Sequence, residues 1–214
     1  MKKHLWIAIL VVFIITSCKH KGENVTLQNN IEDTTMSKAS TDLPSKDPIE
    51  QIQMKYQKTR SWLESAVIDS TAKPYECEGD PISGKIIHYA KDGEIIAVKH
   101  ETMMGDHSGS THIYYLDQGH IYFVYQIDGG WSFGGPLTKD ENGFDVPGTI
   151  DRIEENRFYI QDGKVIKQLH KAFELKSWEE KSAADFPNKE VSPTQTFSEL
   201  KKAFEELLAF KKPC

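Results

Sequence analysis

Five histidines, His88, His100, His107, His112 and His120, crowd one stretch of the chain, and the string Gly105-Asp106-His107-Ser108-Gly109-Ser110 runs through its middle. Grouped histidines invite a metal, and Asp, His and Ser side by side invite a nucleophile with its base. Zinc ligands commonly come as His-x₃₋₅-His on a helix or as paired cysteines, and only His107 and His112 approach that spacing. They flank a loop-to-strand junction, where helical spacing has no meaning, so the histidines read as structural or solvent-facing. The Asp-His-Ser string lacks the G-x-S-x-G elbow, and three adjacent residues cannot fold onto one another as a triad. A hydrolase using His107, Glu101 or Asp106 around the loop at 100–112 remains the competing expectation. No catalytic residue, metal site or cofactor is assigned.

Cys18 carries the more specific signal. Lys2, Lys3 and His4 precede an apolar run from Leu5 to Ile15, which ends in Ile15-Thr16-Ser17-Cys18. The run falls short of the roughly 20 apolar residues of a membrane span, and Lys19, His20 and Lys21 come directly after it. An ordinary signal peptidase site calls for an A-x-A-like pattern, which is missing here. Residues 15–18 resemble the lipobox of bacterial lipoproteins, which implies diacylglycerol on the Cys18 thiol, acylation of its new amino group, and removal of residues 1–17. More than one acyl chain gives stable anchoring where one alone is marginal. The expected location is the cell envelope, at the outer membrane or the periplasmic face.

The 214-residue chain has a formal charge of −6, and losing Lys2 and Lys3 makes it −8. Residues 18–46 balance four lysines against four acids, so the surplus lies on residues 47–214. An acidic domain gains nothing from counterion release, which argues against nucleic acid as a partner. Residues 19–46 are polar with singly spaced apolar residues and read as a tether with a reach of about 30 Å. Residues 47–214 are expected to form one globular domain. Its two cysteines, Cys77 and Cys214, are a candidate disulfide in an oxidising compartment. The acids around Cys77 would raise its thiol pKa and blunt its nucleophilicity.

The domain opens with Asp47-Pro48-Ile49-Glu50, a helix start, and apolar residues at helical spacing predict an amphipathic helix over 48–68. Lys73-Pro74 should end it, with a loop to Gly84. From Lys85 the period becomes two. Asp92-Gly93, Gln118-Gly119 and Asp162-Gly163 each sit between alternating runs and predict three two-residue hairpins, a loose internal repeat. The first should pair Tyr89 with Ile96, Ile87 with Val98 and Lys91 with Glu94; the third should pair Ile160 with Val165. In the second, Tyr114, Leu116, Ile121 and Phe123 should share one face, and Ile113, Tyr115, Tyr122 and Val124 the other. Ser177-Trp178-Glu179-Glu180 suggests a short helix. Ser192-Pro193-Thr194-Gln195 suggests a longer one, with an apolar stripe of Phe197, Leu200, Phe204, Leu207 and Leu208. The fold class is α+β: an antiparallel β-meander of about six strands flanked by an N-terminal and a C-terminal amphipathic helix.

The segments STHIYYLDQGHIYFVYQ and ENRFYIQDGKVI resemble those of uncharacterised secreted proteins and lipoproteins of Bacteroidetes-type bacteria, whose Tyr-rich hairpins are reminiscent of MORN-like repeats. The likeness spans residues 84–170, although the units here are unequally spaced. It implies an exported, helix-flanked antiparallel sheet and supplies no catalytic residue to transfer.

Between the second and third hairpins lies DGGWSFGGPLTKDENGFDVPGTI, residues 128–150. So many glycines and two prolines predict a long irregular loop, either tucked onto the sheet or used for recognition. Trp131, Phe133 and Phe144 are its candidate partner-binding anchors. Glu154, Glu155 and Arg157 beside it read as a solvated edge. These features together predict a non-enzymatic binding or interaction module, held to the membrane through Cys18, that meets an envelope protein or a glycan. A structural accessory role within an envelope complex is the remaining alternative.

Overall fold

The computed structural model describes residues 47–65 and 68–214. Cys18, the leader at 1–17 and the tether at 19–46 lie outside the described residues. Helix α1 (Pro48–Leu63) starts where Asp47 accepts the Ile49 amide on its carboxylate and proline occupies the first turn. It stops short of residue 68 because the chain turns at Glu64 and Ser65, whose amides return to the carbonyls of Arg60 and Trp62.

Eight antiparallel strands come next in simple sequence order: β1 (Asp69–Glu76), β2 (Ile82–Lys91), β3 (Glu94–Met104), β4 (Ser108–Asp117), β5 (His120–Lys139), β6 (Asp145–Gln161), β7 (Lys164–Lys176) and β8 (Lys189–Val191). Two strands exceed the expected six, β1 and β8, and both are edges. Lys73-Pro74 is part of β1 rather than a loop. An outer strand tolerates proline because a missing amide there costs no ladder bond.

All three expected hairpins form, with both turn residues at positive φ: Asp92 at 53° and Gly93 at 84°, Gln118 at 50° and Gly119 at 76°, Asp162 at 49° and Gly163 at 70°. Lys91 pairs with Glu94, and Ile160 with Val165. The outer register differs from the expectation. Shortly past each turn glycine, one extra residue enters the returning strand, so Tyr89 pairs with Ala97 and Ile87 with Lys99. The same bulge in β5 lets Tyr115 face Phe123 while Leu116 faces Ile121, leaving Tyr122 as the insert. A one-residue bulge exchanges the faces of everything beyond it. Phe123 therefore leaves the side of Tyr114, and Val124 takes its place.

The two faces carry separate cores. On one, Ile86, Val98, Tyr114, Leu116, Ile121, Val124, Phe158 and Ile160 lie beneath Leu200, Phe204 and Leu207 of helix α2 (Phe197–Leu208). On the other, Ala97, Tyr115, Phe123, Tyr125 and Tyr159 lie beneath Ile52 and Tyr56 of α1. Helix α2 begins with a capping box of Thr196 and Glu199, later than Ser192, because Thr194 is used elsewhere: its amide donates to the buried Gln168 side chain at 2.6 Å. Residues 177–180 form a turn, not a helix. Ser177 Oγ accepts the Thr149 amide from β6 at 2.9 Å rather than an amide of its own segment. The only helical turn nearby is the 3₁₀ segment Ala183–Asp185.

Cys214 is bonded to Cys77, with Cα atoms 5.4 Å apart, which ties the segment after α2 to the end of β1. Along that segment His88 Nε2 donates to the Leu207 carbonyl, and its ring stacks on Phe210 at 3.8 Å.

Candidate functional site

Residues 128–150 do not form an irregular loop. They complete β5 and β6 as a long hairpin that runs beyond β4, whose pairing ends at Ser108–Gly130, and beyond the last β7 pair at Ile150–Lys176. The glycines bend this finger instead of dissolving it. Between Phe133–Thr149 and Leu137–Pro147, three residues of β5 oppose one of β6, with Gly135 at φ +75°. Trp178 closes over this kink. A Cβ added to Gly135 would fall 2.2 Å from its ring, and one added to Gly148 would fall 2.6 Å away, so only glycine admits the indole at either place.

Trp131 fixes the opposite face. Its indole N–H donates to the Asp106 carbonyl at 2.9 Å, its amide donates to the His107 carbonyl at 2.8 Å, and its ring lies 4.1 Å from the His107 ring. Phe133 meets Trp131 edge-on at 5.0 Å. Strand alternation places Phe133, Leu137, Trp131 and the row Met103–Gly109–Gly129 on this same face. Three of those side chains stay largely in solvent: Met103 is 49% exposed, Phe133 61% and Leu137 66%. The structure thus joins two expected anchors, Trp131 and Phe133, and adds His107, Met103 and Leu137. Phe144 stands apart. Its amide is held by Asp140 in the tip turn, its side chain is 68% exposed, and it makes no ring contact among the described residues.

Four of the five histidines of the crowded stretch have a local partner. His88 braces the segment after α2, His100 bonds Tyr75 Oη at 2.7 Å, His112 donates to Asp128 at 3.2 Å, His107 stacks on Trp131, and His120 is exposed beside its turn. Among the described residues no group of three His, Cys, Asp or Glu could hold a metal ion.

Nor do the candidate hydrolase residues converge. Glu101 lies between Lys85, at 2.7 Å, and Lys99. Burial pushes its carboxyl pKa up, but the hydrogen bonds from both lysines outweigh this and hold it below the ordinary range, which makes it a weak base. An open groove of about 580 Å³ includes Glu101 together with Pro74, Ser83, Lys85 and Met103, but neither Asp106 nor His107.

The reading of Glu154, Glu155 and Arg157 as a solvated edge fits the exposed Glu154 but needs correction for the other two. Glu155 is 6% exposed and is paired with Arg157 at 2.9 Å and with the buried Lys171 at 3.3 Å. They lie in an inner strand, and residues 183–188 cross them, taking Lys171 on the Ala183 carbonyl and Arg157 on Asn188.

No described helix is long and apolar enough to cross a membrane. The chain matches no family model, no curated protein and no solved structure.

Proposed function

We propose that the chain is a lipid-anchored envelope protein that works as a non-enzymatic interaction module, with the Trp131 face of the finger as its contact surface. Cys18 would carry the lipid and residues 19–46 would let the domain stand away from the membrane, as in the exported lipoproteins that the hairpin segments resemble. One observation carries the reading: Phe133 and Leu137 stand exposed on one face of a hairpin projecting beyond the rest of the sheet, Met103 of β3 stands exposed on the same face of the sheet, and the hydrogen bonds of Trp131 hold the hairpin against the Asp106 and His107 carbonyls. Large apolar side chains exposed on a fixed frame mark contact surfaces, since leaving them in water has a cost and a fixed backbone lowers the cost of ordering them on binding. A protein partner suits this face better than a glycan, because its three exposed side chains present no hydrogen-bonding groups.

In vivo photo-crosslinking tests the proposal. A photoreactive residue at position 133 should yield a discrete crosslinked species that one at Met54, a half-exposed residue of α1, does not. Identical products at both positions would remove the finger from the reading. Cys18→Ser should release the protein from membranes and abolish incorporation of a labelled fatty acid. Unchanged incorporation would remove the anchor.

A further inference from the structure

The contact face is not uniformly apolar. Asp151 stands directly across the ladder from Trp131, beside Phe133 and its partner Thr149. Directly opposed residues hold their Cβ atoms about 5 Å apart, so the Asp151 side chain starts beside that of Trp131 on the same face of the sheet. No cation pairs with Asp151 among the described residues, and burial raises its pKa above the ordinary value. The neighbouring Arg152 lies on the opposite face of β6, engaged with Glu174 at 2.9 Å and Ser132 at 3.1 Å. The surroundings are acidic too. Along the finger from residue 131 to residue 151, Asp140, Glu141, Asp145 and Asp151 stand against Lys139 alone, and Lys139 is paired with Asp145 at 2.7 Å.

Resting on the interaction reading above, we propose that this face takes a basic, apolar-containing segment of a partner protein, with an arginine or lysine set against Trp131 and Asp151 and an aliphatic neighbour against Phe133 and Leu137. A partly desolvated carboxylate beside an indole face offers a guanidinium or ammonium both an ion pair and a cation–π contact. The incoming cation neutralises a charge that the fold leaves uncompensated. The surrounding acids steer a basic segment inward and repel an anionic bilayer.

The test uses the purified full-length protein in detergent and three short peptides that alternate leucine with arginine, glutamine or glutamate. The arginine peptide should bind, and the glutamate peptide should not. Asp151→Asn should weaken the arginine peptide about tenfold, as should raising salt from about 0.05 M to about 0.5 M, whereas Asp151→Glu retains binding. Equal binding of the glutamine and arginine peptides, lost on Phe133→Ser but not on Asp151→Asn, would overturn the cation site and leave the apolar contact surface standing. An arginine peptide that fails to bind, or binding indifferent to both Asp151→Asn and Phe133→Ser, would overturn the inference outright. Retention by Asp151→Glu separates loss of the charge from a defect in folding.

Discussion

One sheet has two ends built on opposite rules. At the end of the three glycine turns both faces are covered, α2 over Val98, Val124 and Phe158 and α1 over Tyr115 and Phe123, and every one of these sheet residues is 5% exposed or less. At the finger end no described helix lies over the strands, and Phe133, Leu137 and Phe144 are each more than 60% exposed. The covered end is held by packing and buried bonds. The finger is held by backbone pairing, by Trp131 from one side and by Trp178 from the other. Aromatic residues at the covered end therefore supply stability, while Phe133 and Phe144 on the finger stay open to solvent.

Truncation in the covered core should separate the two ends most widely. Phe158→Ala empties a site that is 0% exposed and should cost about 3–5 kcal/mol in urea unfolding. The same experiment on Phe133→Ser should move stability by no more than about 0.5 kcal/mol. Comparable losses would mean that the finger is part of the core.

The disulfide comes next. Cys77 and Cys214 are 137 residues apart in sequence, and Cys77→Ser with Cys214→Ser should cost about 2–4 kcal/mol by constraining the unfolded chain less. Amide exchange should then quicken in α2 and β1, with little change at Trp131–Lys139.

A smaller loss is expected from the buried polar seam under α2. Gln168 is 0% exposed, donates to Asn156 at 2.8 Å and accepts the Thr194 amide at 2.6 Å. Gln168→Ala strands those partners and should cost about 1–3 kcal/mol, which urea unfolding would detect.

Acid should weaken the sheet in the same direction but more gently. Burial, and then the neighbouring His112, lower the pKa of His100 from 6.5, so the fold favours its neutral ring. That contribution is complete above the unfolded value of 6.5 and is lost as pH falls from there through the folded value. A series of thermal melts descending from neutral pH should show a falling Tm, and the fall should shrink in His100→Gln.

Much of the covered end is legible in the sequence because its signals are local. Asp-Gly and Gln-Gly need no distant partner to turn a chain, and Phe197, Leu200 and Phe204 declare a helix face by spacing alone. The features that escape are set at long range. The bulges depend on pairing, so strict alternation puts Phe123 and Val124 on the wrong faces. Ser177 and Ser192 read as capping residues, but the fold turns the Ser177 hydroxyl to Thr149 and holds the Thr194 amide, two residues past Ser192, on Gln168. Proline in β1 hides a strand whose edge position makes it acceptable.

The finger is half legible. Trp131 and Phe133 stand out as aromatics among glycines, but the glycines read as loop because nothing local reveals that Gly135 and Gly148 admit a Trp178 ring. Asp151, Met103 and Leu137 join the site only through register across β3 to β6. Alternation of Trp131 with Phe133, and of Thr149 with Asp151 past a turn at Asp140, is the available signal.

If the exposed finger residues serve contact rather than folding, removing them should spare stability and abolish the contact. The most direct measurement is a paired one on the Phe133→Ser, Leu137→Ser double variant: its thermal midpoint, and its crosslinking from a photoreactive residue at Met103 on the same face. A midpoint within about 2–4 °C of wild type, with the crosslinked partner lost, is the predicted result. A large fall in the midpoint with the crosslinks intact would contradict it.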